Sequence, residues 1–403
     1  MNLLLTQLLN INEVAVEDYR DIGEHLVLIV EAIKDSSICP RCGQTSHNVH
    51  QSHFHLAHDL GISNRPVFLK YNRRQFKCHT CKKPFSETFD FIGTRRRYTD
   101  RFAEMIVKQV IHSDTHNVAQ NNGLTDDEVW SMVEYVSKKK MLFDLSGLRR
   151  LGIDEISLRK GQRDYITVLV DLDKKELIGL VKSRKHKDIK AELKSWGEEV
   201  LSKIKEVSID MSGSYRGLIK KVLPNADIVA DRFHVTKLVN DELNRARNTE
   251  KRAISKLKDT PKKKKLESIF KNSKYALLKP EENLTEKQKI KLEEIKKAFP
   301  GLAKMHQQKE SFRIIFNDGK DWTDGVFKLL GWLKEAQTTF HDSTGTIVRW
   351  FGEICNYFES RTTSGAVEGI NNRLKLIKRS GYGFRNFANF RLRCLICWHL
   401  KIS

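Results

Sequence analysis

The chain has 403 residues, enough for several domains with proper apolar cores, and it carries 72 lysines and arginines against 51 acidic residues. The formal charge of +21 points to a polyanionic partner, most simply nucleic acid, because basic groups that neutralise phosphates release counterions. No stretch approaches the ~20 apolar residues of a membrane span, no secretory segment opens the chain, and the seven cysteines fall mostly into C-x-x-C pairs rather than a disulfide framework. A soluble protein of a reducing compartment is expected.

In chain order, His25–Val30 reads as a strand leading into Cys39-Pro40-Arg41-Cys42-Gly43, and a strand-like run, Pro66–Tyr71, precedes Cys78-His79-Thr80-Cys81. Each pair has the knuckle spacing that lets two thiolates bind one zinc while backbone N–H groups face the sulfurs. The spacer between the pairs, residues 43–77, is long for such a module but can be taken up by an inserted hairpin. Cys39, Cys42, Cys78 and Cys81 are therefore expected to hold a structural Zn²⁺. His50, His53, His55 and His58, in the spacer, read as ordinary strand and loop residues.

Arg95-Arg96-Arg97 introduces a helical region in which Phe102, Met105, Ile106 and Val110 recur at helical spacing. The stretch His116–Val129 then has the form of a helix-turn-helix, with Ala119 where helices cross, Gly123 in the turn and Leu124 packing inward. Thr125 and Glu128 are placed to form a capping box on a second helix running to about Val136. That helix would carry the groove-reading face, although its acidic first turn suits the helix dipole better than a phosphate.

From Leu148 the pattern changes. Leu151–Leu158, Tyr165–Val170 and Leu177–Val181 read as strands, with turns at Lys160-Gly161 and Asp173–Lys175. Lys187–Ile204 has the spacing of one amphipathic helix, Glu206–Ser212 returns as a strand, and Ala226–His234 is a strand running into a helix. The order βββαβαβα, with Asp154 and Asp210 on its first and fourth strands, is that of an RNase H-like domain. Neighbouring side chains on a strand point to opposite faces, so Glu155 is expected to face away from Asp154.

Residues from about Arg245 to Thr344 are long, charged and helical and read as an all-α insertion, with a solvated lysine run at Lys262–Lys265 and core tryptophans at Trp322 and Trp332. In the segment that follows, Val367, Ile370, Leu374 and Ile377 occupy one helical face and Glu368, Asn372, Lys375 and Arg379 the other. Cys394 and Cys397 lie in an apolar helical run and read as core cysteines. Asp154, Asp210 and Glu368 would meet at one end of the sheet. Crowded carboxylates need a cation, and an oxygen-rich set with open positions selects Mg²⁺ or Mn²⁺. Two such ions support in-line attack at a phosphodiester.

This combination resembles the DDE transposases of bacterial insertion sequences, most closely the ISL3 family. The motifs that carry the resemblance are the two cysteine pairs, Gly152-Ile-Asp-Glu, Ser208-Ile-Asp-Met-Ser, Asp231-Arg-Phe-His and Val367-Glu-Gly-Ile-Asn-Asn through Gly381-Tyr-Gly-Phe-Arg-Asn-Phe. It implies that Asp154, Asp210 and Glu368 are the catalytic triad, with Asp231, His234 and Glu155 as supporting residues. It also implies binding to terminal inverted repeats, a homodimer or higher oligomer on DNA, and a cytoplasmic, nucleoid-associated location. Candidate DNA contacts are Arg95, Arg96, Arg97, Arg373, Lys375, Lys378, Arg379 and Arg385.

The expected layout is a zinc-binding β-rich module (1–92), a helix-turn-helix region (93–146), an RNase H-like domain (147–244), an all-α insertion (245–345) and a C-terminal helical part of the catalytic domain (346–403). The competing functional readings are a sequence-specific DNA-binding regulator with a non-catalytic RNase H-like scaffold, and a nuclease without strand transfer.

Overall fold

The computed structural model describes residues 2–159, 164–362, 365–381, 384 and 386–401. The Lys160-Gly161 turn and Arg385 lie outside them. The chain divides into two compact units, Met1–Phe143 with Arg379–Ser403, and Asp144–Lys378.

The first unit opens with helix α1 (Leu3–Leu9), strands β1 (Val14–Asp21) and β2 (Leu26–Ala32), and the short pair β3 (Ser37–Ile38) and β4 (Thr45–Ser46). The long hairpin β5 (Val49–Ile62) and β6 (Arg65–Lys77) follows, then β7 (Pro84–Ser86). The sheet order is β1-β2-β6-β5, with β7 added to β6. This hairpin is what fills the spacer between the cysteine pairs.

Three helices complete the N-terminal part: α2 (Asp100–His112), α3 (Thr115–Asn121) and α4 (Asp126–Lys140). Phe102, Ile106 and Val110 are buried, as their spacing predicts, together with Ala119 of α3 and Val129, Met132, Val133 and Val136 of α4. Gly123 makes the turn at φ +62°, a conformation in which side chains other than glycine are strained. Thr125 Oγ1 accepts from the Glu128 N–H (3.2 Å) and Glu128 Oε2 accepts from the Thr125 N–H (2.9 Å), the reciprocal cap read from the sequence. Asp59 of β5 is buried and accepts from Thr99 Oγ1 (2.7 Å) and from Arg101, which ties the sheet to α2.

The second unit contains a mixed sheet of β8 (Arg150–Arg159), β9 (Asp164–Asp171), β10 (Glu176–Val181), β11 (Glu206–Ile209) and β12 (Asp227–Ala230), in the order β10-β9-β8-β11-β12. The first three pair antiparallel, while β8/β11 and β11/β12 pair parallel. The parallel crossovers carry α5 (His186–Ser195), α6 (Glu198–Leu201) and α7 (Gly213–Val222), and β12 runs into α8 (Arg232–Ser255). The single helix expected over Lys187–Ile204 is broken: α5 stops at Trp196 and Gly197 adopts φ +85°, which a helix cannot contain.

The chain continues through α9 (Pro261–Phe270), α10 (Ser273–Leu278), α11 (Glu286–Ala298), α12 (Pro300–Asp318), α13 (Trp322–Ala336), α14 (His341–Arg349) and α15 (Phe351–Ser360). Trp332 is buried and donates from Nε1 to the Gln308 carbonyl (2.8 Å). Trp322, expected in the core, is the first residue of α13 and is 46% exposed.

Helix α16 (Gly365–Ser380) follows, then α17 (Phe387–His399). In α17, Ile396 is buried among the helices of the first unit, with Leu392 beside it, and Arg393 donates to the Ser113 carbonyl (3.0 Å). The segment expected as one piece, 346–403, thus divides between the two units. No helix among the described residues is long and apolar enough to cross a membrane.

Candidate active site

Register alone brings the acids of the central strands together. Ser208 of β11 pairs with Gly152 of β8, and extending that parallel ladder by two residues sets Asp210 level with Asp154. Ile209 pairs with Ala230, and one further step sets Asp210 level with Asp231, whose N–H donates to the Ile209 carbonyl (2.8 Å). Partners in a parallel ladder share a face, so three aspartates line up where the parallel ladder ends, just past β11 and β12 and midway along β8, on the side where open α/β sheets bind ligands. They form a ledge.

Each member has its own neighbours. Asp154 is half-buried; its Oδ1 accepts from the Glu155 N–H (2.7 Å) and its Oδ2 from Asn371 Nδ2 (2.6 Å). Burial pushes the Asp154 carboxyl above its ordinary pKa, opposed by the Glu155 N–H and by the His234 imidazole. Asp210 is raised for the same reason, and the Glu155 and Asp154 charges push it further up. Its Oδ1 is buried without a hydrogen-bond partner, an orphaned acceptor that suits a cation. Asp231 is buried, accepts from the Phe233 N–H (2.9 Å) to cap α8, and lies 3.7 Å from His234 Nε2. It therefore caps a helix and also holds a histidine whose charge reaches both Asp154 and Asp210.

Glu155 points to the other side of β8, as alternation requires, where Tyr215 of α7 donates to its Oε1 (2.7 Å). Thr167 Oγ1 lies 3.1 Å from the same Tyr215 hydroxyl. Burial drives the Tyr215 pKa upward, keeping the phenol protonated as a donor.

Helix α16 lies against this ledge through the face read from the sequence: Val367, Ile370, Leu374 and Ile377 are buried, while Glu368, Asn372, Lys375 and Arg379 are exposed. Gly152 permits the approach. A Cβ there would stand 2.9 Å from Val367 Cγ2 and 2.8 Å from Leu172 Cδ2. Asn371, one turn beyond Glu368, is the residue of this helix that touches Asp154, and its Oδ1 is buried and unpaired. Glu368 itself is exposed. Among the described residues, the four zinc-module cysteines alone form a set of three or more metal-ligating side chains with ligand atoms within 4.8 Å of one another, so the Glu368 carboxylate does not close with the two aspartates.

Asn371 and Tyr215 are the contacts that sequence reasoning missed. Asn371 stands in the Val367-Glu-Gly-Ile-Asn-Asn motif, and its place on the apolar stripe beside Ile370 was the signal available. Tyr215 carried none.

The cysteine cluster is compact. The four sulfurs lie within 4.8 Å of one another, with Cys42 and Cys78 3.5 Å apart, close to the about 3.8 Å edge of a tetrahedron around zinc. The Cys81 N–H donates to Cys78 Sγ (3.3 Å). Backbone N–H groups at Arg41 and Cys42 hold the Cys39 thiol down to about 7, whereas the crowding of Cys42 and the other thiols pushes Cys81 up to about 12. All four sulfurs cannot ionise together without a cation, and the donor set fits structural zinc. The spacer histidines stand apart: His58 stacks on Phe68 (4.6 Å) and Phe102 (4.0 Å).

The candidate DNA-contacting residues are placed unevenly. Arg95, Arg97, Arg373, Lys375 and Arg379 are exposed. Arg96 is engaged with Ser131 Oγ (3.0 Å) and lies over the Tyr135 ring (4.8 Å). Lys378 donates to the Ser157 carbonyl of β8 (3.0 Å).

Strand order, ledge and cysteine cluster define a DNA-processing class of protein, with a zinc module, a helix-turn-helix and an acidic site on a mixed sheet. A family model described as "Transposase" matches residues 151–394, the "Helix-turn-helix domain of transposase family ISL3" matches 87–137, and the "zinc-finger of transposase IS204/IS1001/IS1096/IS1165" matches 35–81. The chain belongs to the ISL3 transposase family. It is similar to the transposase for insertion sequence element IS1001 of Bordetella parapertussis, at 27% identity over 389 residues, 94% of this chain and 93% of the relative. It also resembles the transposase for insertion sequence element IS1557 of Mycobacterium tuberculosis, at 28% identity over 277 residues, 64% of this chain and 61% of the relative.

Proposed function

We propose that this transposase binds the terminal inverted repeats of an insertion sequence, cleaves DNA there and joins the freed strand to a target, using a divalent ion held by Asp154, Asp210 and Glu368 on an RNase H-like sheet. The observation that carries the reading is the level pair Asp154 and Asp210, both half-buried, with Asp210 Oδ1 left without a partner. Mg²⁺ or Mn²⁺ bound there would activate the attacking water or 3′-hydroxyl and stabilise the leaving oxygen, as two-metal sites do at phosphodiesters.

The chain's own residues prepare that site. Asn371 fixes the Asp154 carboxylate. Asp231 lies beside His234, whose imidazole faces both aspartates. Glu155, held by Tyr215, adds a negative charge behind Asp210 that favours a cation. Glu368, which stands open, would complete the ligand set from α16, which Val367 and Asn371 fasten to β8. The exposed cations of that helix, Arg373, Lys375 and Arg379, serve as backbone contacts, and the chain works as a homodimer or higher oligomer on DNA.

The test incubates the protein with Mg²⁺, a pre-cleaved element end and a target plasmid. D154A should lose joined product by about a thousandfold while still binding terminal DNA in a gel shift. Joining at the wild-type level by D154A would remove Asp154 from the chemistry, and neither cleavage nor joining by the wild type would leave a DNA-binding regulator. Cleavage without any joined product in the wild type would leave a nuclease.

A further inference from the structure

Many cations of the insertion are neutralised: Lys289 pairs with Glu286 (2.8 Å), Lys291 with Glu294 (2.6 Å), Lys296 with Glu293 (3.0 Å), Arg313 with Glu282 and Arg245 of α8 with Asp342 (3.1 Å). One cluster between α8 and α10 is not. Arg247, Lys251 and Arg252 of α8 and Lys271 and Lys274 near α10 line one cavity of about 1020 Å³, and among the described residues none of the five makes an ion pair. Glu267 is the one acid on its wall.

Arg247 is the informative member. It is half-buried, yet its guanidinium donates to neutral acceptors: Asn244 Oδ1 (3.0 Å), Asn248 Oδ1 (2.7 Å) and Ser273 Oγ (3.3 Å). Burial lowers its pKa. A partly desolvated cation without a counter-ion calls for an anion from outside. At the rim, Tyr275 is 59% exposed, with Lys274 and Lys279 within 6 Å of its ring, an aromatic face set among cations. Phosphate-sized positive groups beside an open ring are the elements of a single-strand platform.

We propose that this cavity binds the phosphodiester backbone of an unpaired DNA strand, with Arg247, Lys251 and Lys274 on the phosphates and Tyr275 stacking on a base. The proposal rests on reading the chain as a transposase that handles unpaired DNA, and it locates a second place of contact away from the aspartate ledge.

The experiment uses the full chain and a thymidine oligonucleotide carrying 5-iododeoxyuridine, photocrosslinked and mapped by mass spectrometry. The expected crosslink falls on the peptide containing Tyr275, persists in Y275F and is lost in Y275A. The double variant K251A/K274A should bind the oligonucleotide about tenfold more weakly at physiological salt. Its log–log salt slope should be shallower by about 1.4, two contacts at roughly 0.7 each. Crosslinks elsewhere, with an unchanged slope in the double variant, overturn the proposal. So does thymidine monophosphate competing mole for mole with the oligonucleotide, since that marks a nucleotide pocket; preference for RNA overturns it in favour of another polymer. Strand transfer by the wild type is scored separately. Its absence alongside an intact Tyr275 crosslink would remove the transposase chemistry and leave the cavity, while the reverse result would remove the cavity alone.

Discussion

The cysteine cluster and the aspartate ledge both crowd groups that repel one another when ionised, and the chain prepares them in different ways. At the cluster, four sulfurs already stand at metal-binding separations and backbone N–H groups face them, so the tight β3/β4 and β6/β7 turns have built the site. At the ledge, two aspartates are set by strand register, but Glu368 is carried on the exposed stripe of a separate helix and stands open. A structural site is closed by local turns; on the proposed reading, a site that must admit DNA would keep one ligand, Glu368, on an element that can adjust.

Removing zinc should give the largest effect. Structural zinc contributes on the order of 10 kcal/mol to the folding of small modules. Chelation, or C39S with C42S, is therefore expected to unfold the cysteine region and abolish binding to terminal DNA, read by circular dichroism and gel shift. Retained terminal binding by the chelated protein would mean that the cluster is dispensable and the contrast false.

Next in size is N371A. It frees Asp154 from its fixed rotamer without touching the aspartates, and loss of such a supporting hydrogen bond costs about 10–100-fold in metal affinity or activity. Joining should fall by that factor and partly recover at higher Mg²⁺. Unchanged joining would show that α16 does not orient the ledge.

The smallest effect is on stability. Burial raises both aspartates above their ordinary pKa, so their contribution to metal-free stability is present below about pH 4 and is lost as the pH rises through their folded-state values. At pH 7 the metal-free protein carries that penalty. D210N should relieve it, raising Tm by about 2–4 °C in EDTA and abolishing further stabilisation by Mg²⁺. A lower Tm for D210N would mean that the Asp210 charge is satisfied by the protein itself.

The contrast also explains what the sequence disclosed. Local spacing exposed the cysteine pairs, the Thr125–Glu128 cap, Gly123 and the amphipathic α16, because each depends on residues a few positions apart. The succession of strands was legible from their apolar runs, and with it the expectation that Asp154 and Asp210 meet at one end of the sheet, whereas the register that levels them is a pairing between distant strands. Contacts between elements were not. Asn371 reaching Asp154, Tyr215 reaching Glu155 and the close passage of Val367 over Gly152 join residues between 60 and 217 positions apart, and no periodicity encodes such pairs. The break at Gly197 and the partly exposed Trp322 were missed for a related reason: residue type was read without the packing that fixes its role.

The most direct test of the metal site is a change of metal requirement at Glu368. A thiolate in place of this carboxylate weakens Mg²⁺ and favours softer ions. If Glu368 is a ligand, E368C should fail to join a pre-cleaved end to target DNA in Mg²⁺ and regain joining in Mn²⁺, with terminal binding unchanged throughout. Wild-type joining by E368C in Mg²⁺ would contradict the account and place the third ligand elsewhere.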